Sequence, residues 1–291
     1  MAQVATVIRD GHTVLDRCSL SDVSDQELAD HMIGRSVERS LESFRAENPE
    51  ELASARRLLR LSHIPSGKII DLHAGEIVGV MALTPEDARE VVRYAWGATS
   101  APELRREIFG RRPRVWNPRR AGRAGVAYVS GDRKQDALFP ELDLVNNVMA
   151  PERVIRRRPW LSREAPAASR ALAELDVKAP SLLATPDALS GGNQQKMLFA
   201  AWLALEIRLL LLDDPTRGVD VEAKSEIYRK VRATVSEGGA ALWWSSDTEE
   251  LAQVSDRLVV IRGSAPIATL TGNGITEAAI VTTMNQGTPH E

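Results

Sequence analysis

Two stretches of this chain have residue types and spacing suited to phosphate chemistry. In LSGGNQQK, Leu189 to Lys196, the residues Ser190, Gly191 and Gly192 stand immediately before an apolar-periodic helix. Such a turn offers backbone N–H groups and a hydroxyl at the positive end of a helix dipole, a ready place for an anion. The same residues also read as a plain N-cap behind a flexible turn. In LLLLDDPTRGVD, Leu209 to Asp220, an apolar strand ends in Asp213, Asp214 and a proline turn. Carboxylates at the carboxyl edge of a parallel strand are placed to hold magnesium-bound phosphate. A strand that simply stops at an Asp-Asp-Pro turn is the plainer alternative. A third stretch, GVMALTPEDAREV, runs from an apolar strand into a helix, where nucleotide-binding chains usually carry a glycine-rich phosphate loop. It has no glycine after Gly79 and no lysine. It reads as an ordinary helix start, with Thr84 as N-cap, Pro85 at the first helical position and Asp87 three residues after the cap.

These side chains need a scaffold, and the apolar pattern predicts one. Strands are expected over 56–62, 68–72, 76–83, 125–130, 208–212, 239–245 and 257–262. Helices are expected over 85–95, 165–176, 192–206, 221–236 and 275–285. Alternation of the two implies an α/β fold with a mainly parallel sheet. The stretch from about 142 to 205 is helical without a strong strand, which suggests an inserted helical subdomain. Gln194, Gln195 and Lys196 read as a solvent-facing first turn of its last helix. Near the start, a strand over 4–9, a hairpin turn at Asp10-Gly11 and a return strand from His12 to Leu15 are expected. A helix then opens on a capping box of Ser24 and Glu27 and stops at Gly34, and 35–52 read as a linker.

Composition narrows the function classes. A chain of 291 residues that is 43% hydrophobic can bury a substantial core. A formal charge of -3 argues against a dedicated nucleic-acid binder. Arginines do cluster, with Arg105, Arg106, Arg111, Arg112, Arg114, Arg119, Arg120 and Arg123 around Trp116, and Arg153, Arg156, Arg157 and Arg158 beyond; a solvated face is the simpler reading. The single cysteine, Cys18, has no internal disulfide partner, and the five histidines show no metal-ligand spacing. No segment reads as a signal peptide or a membrane helix, so a cytoplasmic protein is expected.

The order LSGGNQQK, LLLLDDPTRGVD and WWSSD resembles the nucleotide-binding domain of an ATP-binding cassette (ABC) transporter, over about residues 54–270. The spellings LSGGNQQK and PTRGVD resemble more narrowly the C-terminal cassette of bacterial sugar importers of the ribose and galactose type, whose ATPase chains carry two fused cassettes. The resemblance implies an ABC-type α/β fold: a mainly parallel sheet, an antiparallel β part and an inserted helical subdomain. Residues 1–52 resemble the closing strand, turn and helix of a preceding cassette plus a linker, and 53–291 the ABC ATPase-like domain.

The resemblance also implies ATP and magnesium, bound between two cassettes packed head to tail. Ser190, Gly191 and Gly192 match the turn that closes over ATP held by the partner, and Asp220 the loop that crosses that interface. Asp213 matches the magnesium ligand, relevant only if this chain's own site is occupied, and Asp214 the water-positioning glutamate, one methylene shorter. The phosphate-loop positions, however, are occupied by Ala82, Pro85, Asp87, Ala88 and Arg89, which supply neither glycine cradle, lysine nor magnesium-binding hydroxyl. Arg89 lies one position after the basic residue of that loop. Gly131 stands where the family has glutamine or glutamate, and Ser246 where complete cassettes have a histidine. The implied role is therefore a subunit that lends its signature turn to a complete ABC ATPase cassette and is inactive alone. Its other partners would be integral membrane permease subunits and, indirectly, a solute-binding protein, with the chain peripheral on the inner face of the membrane. The segment 131–150 corresponds to the region facing those membrane subunits. A stand-alone ATPase with an unconventional site and a truncated remnant of a two-cassette chain are the alternatives. No nucleic-acid partner is expected.

Overall fold

Residues Ile77–Ala82 (IVGVMA) and Leu209–Asp213 (LLLLD) are apolar at nearly every position, the pattern of strands covered on both faces, and every residue in them is buried. The structure, a computed structural model, describes residues 4–9, 12–19, 23, 52, 54–157 and 164–286. In chain order its strands and α-helices are β1 (Val4–Arg9), β2 (His12–Ser19), β3 (Arg57–His63), β4 (Ile69–His73), β5 (Ile77–Ala82), α1 (Pro85–Trp96), β6 (Leu104–Ile108), α2 (Pro118–Arg123) and β7 (Val126–Ser130). There follow α3 (Arg133–Asp136), α4 (Leu144–Arg156), α5 (Ala165–Ala173), α6 (Gly191–Leu203), β8 (Leu209–Asp213), α7 (Val221–Ser236), β9 (Ala240–Trp244), α8 (Thr248–Val254), β10 (Arg257–Arg262), β11 (Ala265–Thr271) and α9 (Glu277–Gln286).

The main sheet runs β11-β10-β5-β9-β8-β7 and is parallel except for the antiparallel edge strand β11. A three-stranded antiparallel sheet, β4-β3-β6, and the β1-β2 hairpin complete the β structure. Alternate residues of β8 serve two cores, as the two-residue period of a strand requires. Leu210 and Leu212 join Phe199, Ile227 and Trp243 on one face, while Leu209 and Leu211 join Val91, Leu58 and Trp244 on the other. The first core is roofed by α4, α5 and α6, which pack on one another. The second lies between the sheet and β3, β4 and α1.

The predicted central strands and the helices α1, α5, α6, α7 and α9 form close to their expected bounds, while β2 continues past Leu15 to Ser19. Strands β6 and β11 and the short helices α2, α3 and α8 were not anticipated. The Asp10-Gly11 turn, the Ser24–Gly34 helix and nearly all of the 35–52 linker lie outside the described residues. Among the described residues no helix is long and apolar enough to cross a membrane.

Candidate functional site

The carboxyl ends of β5, β7, β8 and β9 meet along one edge of the sheet, and the sequence-predicted residues gather there or on the helix starts that follow. At the signature turn, Leu189 is extended and Ser190 caps α6, its Oγ accepting from the Asn193 backbone N–H at 3.4 Å and from Asn193 Nδ2 at 2.9 Å. The start of α7 lies against it. Asp220 caps that helix by accepting from the Ala223 N–H at 2.9 Å. Gly192 makes this approach possible: a Cβ there would stand 2.7 Å from Asp220 Oδ2 and 3.0 Å from Ala223 Cβ. Two helix N-termini thus border one cavity of about 220 Å³, lined by Lys178, Ser190, Gly192, Asn193, Asp220 and Glu222 among others. Aligned peptide dipoles at both helix ends favour an anion, and of the carboxylates in the same lining Asp220 caps α7 and Glu226 is paired with Lys196, while Glu222 opposes the anion.

The three residues after Asn193 depart from the expected solvent-facing turn. Gln194, Gln195 and Lys196 are buried. Gln194 Nε2 donates to the Pro186 and Leu189 carbonyls at 3.0 and 3.3 Å and so holds the turn itself. Gln195 Nε2 donates to the Ser130 carbonyl at 3.3 Å, and Lys196 Nζ to the Asp176 carbonyl and Glu226 Oε2, both at 2.7 Å. Their polarity hid inward-facing braces, because a helix packed on all sides must satisfy buried polar groups internally. Arg133 was also missed. Its Nη1 donates to the Arg217 carbonyl at 3.1 Å, and its Nη2 lies 3.3 Å from where a Cβ on Gly191 would stand, which ties α3 to the turn before Asp220. The signal available was Asp132 as N-cap, its side chain accepting from the Gln135 N–H, directly after a buried strand.

The β5–α1 junction is short. Ala82 ends β5, Leu83 and Thr84 are the whole connection, and Pro85 opens α1 as expected. Thr84 takes the extended N-cap conformation, but its side chain makes no capping bond. Asp87 does not cap either; its Oδ2 accepts from the Gly263 N–H at 2.9 Å. Ala88 is fully buried against the second core. Arg89 reaches back over the sheet edge, its Nε 3.2 Å from Asp213 Oδ1 and its guanidinium 5.2 Å from the Trp244 ring centre.

Asp213 is 1% exposed, and both of its oxygens are engaged. Oδ1 takes Arg89, while Oδ2 accepts a short hydrogen bond from Tyr128 Oη (2.5 Å) and faces Arg93 Nε at 3.5 Å. Burial pushes the Asp213 carboxyl up from its ordinary range, opposed by Tyr128, Arg89 and Arg93. Burial and the neighbouring Asp213 likewise push the Tyr128 phenol up, so it stays a neutral donor. Asp214 is held separately, with a left-handed φ of 51°. Its Oδ1 accepts from the Ser246 N–H at 3.1 Å and its Oδ2 from Ser246 Oγ at 3.0 Å. Gly131 has a steric reason for being glycine: a Cβ would lie 2.0 Å from the Asp214 carbonyl oxygen, and its own N–H donates to the Asp213 carbonyl at 2.8 Å.

Most of the arginine run is exposed, as the solvated-face reading expects, and part of it is also anchored locally. Arg106 stacks 3.8 Å from the Tyr94 ring centre, Arg119 and Arg123 donate to the Val154 and Ile155 carbonyls, and Arg153 is buried against Glu164. Beside them an apolar cavity of about 240 Å³ opens between α1, α4 and α6, with Phe139 (49% exposed) and Val154 (60% exposed) at its lining.

Comparison with known proteins places this geometry in context. Residues 105–217 match the family described as ABC transporter. A putative ribose/galactose/methyl galactoside import ATP-binding protein of Pseudomonas fluorescens is 36% identical over 287 residues, covering 97% of this chain and 55% of the relative. The ribose import ATP-binding protein RbsA 1 of Rubrobacter xylanophilus is 36% identical, covering 89% and 52%, and the arabinose import protein AraG of Vibrio parahaemolyticus 31%, covering 91% and 53%. The chain thus spans about half the length of the curated relatives it matches. Among solved structures, the ADP conformation of an ABC transporter cassette superposes with a TM-score of 0.62 at 18% identity, covering 79% of this chain and 96% of that one. A dimeric cassette bound to ADP and Pi gives 0.60 at 16% identity, covering 74% and 98%.

Proposed function

Because this chain belongs to the ABC transporter family of ATP-binding cassettes, we propose that it serves a sugar-type importer by lending its signature turn to ATP bound on a complete cassette, while its own site takes up no Mg–ATP. The relatives named for ribose, galactose and arabinose import support the solute class. One asymmetry carries the reading. The Ser190–Gly192 turn and Asp220 form an open, dipole-lined cavity, whereas the β5–α1 junction has no loop to wrap a triphosphate.

The residues at that junction do not fit a magnesium-bound triphosphate. Pro85 has no N–H, Glu86 and Asp87 would repel phosphate, and Asp213 is already neutralised by Arg89. No reaction step is therefore assigned to this chain's own Asp213 or Asp214. On the partner's ATP, the role of Ser190 and the N–H groups at the start of α6 is electrostatic: preorganised donors and helix dipoles directed at charge on the terminal phosphate. Asp220 fixes the adjoining helix start, and Arg133 holds the turn between them. The permease contact is assigned to the 131–150 segment, where exposed Phe139 borders the apolar cavity.

Mixing this chain with a complete cassette of the same importer type tests the reading. ATPase activity should exceed that of the complete cassette alone, and Ser190→Arg should abolish the excess. An unchanged rate with Ser190→Arg refutes the signature role, and nucleotide titration of the isolated chain that detects millimolar-range binding refutes the empty site.

A further inference from the structure

The contacts around Asp213 form one chain of charge that crosses three elements. Arg89 on α1 bonds Asp213 at the end of β8; Arg93, one helical turn further on, faces the other oxygen of the same carboxylate. Arg93 Nη2 then reaches Asp136 Oδ2 on α3 at 2.7 Å, and Ser130 Oγ donates to that same oxygen at 2.9 Å. Tyr128 bridges Arg93 and Asp213 as acceptor from one, at 3.2 Å, and donor to the other. Two guanidinium ions face two carboxylates, and the tyrosine is neutral, so the cluster is electrically complete. A divalent ion entering it would add uncompensated charge at a carboxylate that is 1% exposed, where water screens poorly.

Resting on the reading of the site as closed to Mg–ATP, we propose that the Arg89 guanidinium is a built-in substitute for a divalent cation at Asp213. With Arg93 it ties the β8 end to the Ser130–Asp136 segment at all times, without nucleotide. Arg89 suits the role for two reasons. It is half-buried, pinned between the Trp244 face and the carboxylate, and its planar guanidinium can bond a carboxylate while lying over an aromatic face. The segment it secures carries Arg133, which contacts the turn before Asp220. A cassette that never binds its own nucleotide would otherwise lack a countercharge at this buried carboxylate and a charged tie from it to the Ser130–Asp136 segment, beside the Gly131 N–H bond to Asp213 and the Gln195 bond to Ser130. The arginine supplies both, so the surface offered to a partner does not depend on a ligand cycle in this chain.

The test uses the full chain, with Mn²⁺ as probe, read by thermal unfolding, electron paramagnetic resonance of Mn²⁺ and amide hydrogen exchange. Wild type should show no Mn²⁺-dependent change in Tm. Arg89→Ala should unfold at lower temperature, exchange faster over residues 130–136, and gain Mn²⁺ dependence, with Tm rising by about 2–4 °C at saturating Mn²⁺. Adding Asp213→Asn to Arg89→Ala should remove that dependence. If Arg89→Ala is too unstable to purify, Arg89→Gln keeps the side-chain length and should bind Mn²⁺ by the same resonance measurement. Arg89 variants as indifferent to Mn²⁺ as wild type would overturn the substitution, leaving the empty-site reading intact. Mn²⁺ binding by wild type that Asp213→Asn abolishes would overturn it as well. Binding of Mg–ATP to wild type, by contrast, would defeat the functional reading on which it rests.

Discussion

Single side chains at the sheet edge do work that their types alone do not announce. Gly131 is the clearest instance: the sequence resemblance puts it where complete cassettes carry glutamine or glutamate, and in space the backbone of Asp214 fills the position where any Cβ would go. Restoring the family's residue should therefore not restore an activity. Gly131→Gln forces a side chain against a backbone carbonyl that cannot rotate away, and it should destabilise the chain by about 1–3 kcal/mol or more, with no gain of ATP hydrolysis. Urea unfolding and an ATPase assay of the same preparation check both halves, and a variant as stable as wild type would show that the turn can move. Asp214 follows the same logic. Ser246 donates its N–H and hydroxyl to that carboxylate, and the Asp214 backbone itself holds a left-handed φ of 51°, so the carboxylate is committed to the fold.

Between elements, buried polar contacts decide how the edge turns are held, and here the reach of sequence reasoning is easiest to see. Strands β5, β8 and β9 were legible because consecutive apolar residues leave few other readings. β6, LRREI, was not, because only its end residues Leu104 and Ile108 are buried and its middle is charged. The signature turn was legible for the opposite reason: its pattern is local, written in adjacent residues. The contact of Arg89 with Asp213 joins positions 124 apart and leaves no local pattern. The same is true of Glu250 on α8. It is 2% exposed, bonded by Thr216 Oγ1 from the turn after β8 and by Tyr228 Oη from α7 at 2.7 Å, so one carboxyl joins three elements. Burial pushes this carboxyl up from the ordinary glutamate range, against the opposing effect of its hydroxyl donors and Lys224. Its folded state therefore holds a proton at pH values where the unfolded chain has released it. Its contribution to stability is full below the ordinary glutamate range and is lost as pH rises from there through the raised folded value. Glu250→Gln, which keeps the shape without the titration, should flatten that part of the stability–pH curve. Denaturation midpoints taken at several pH values, compared between the two proteins, measure it, and identical slopes would mean Glu250 ionises at its ordinary pH.

For the molecule as a whole, the consequence is about assembly. Two copies of this chain packed head to tail would bring together two Ser190–Gly192 turns and two β5–α1 junctions without phosphate-binding loops, so a triphosphate has nothing to bridge. Adding Mg–ATP should leave the mass of the isolated chain unchanged in light scattering at any concentration where it is otherwise monodisperse. A complete cassette whose water-positioning glutamate has been replaced, and which therefore retains ATP, offers the missing half. With it, Mg–ATP should produce a one-to-one complex that disappears when ATP is omitted. The complex should also fail with Ser190→Arg, because a bulky cation at the cap of α6 fills the cavity shared with Asp220. The two arms separate the molecular claims. Nucleotide-driven self-association would mean that the β5–α1 edge binds ATP after all, whereas failure to pair with any complete cassette, with Ser190 intact, would mean that the turn is a structural cap and the cavity beside it is not a site. Arg123 of α2 and Arg156 of α4 lie beside the start of β7, at the opposite end of that strand from Ser130, and so away from this contact. The pairing should accordingly depend on ATP far more steeply than on ionic strength.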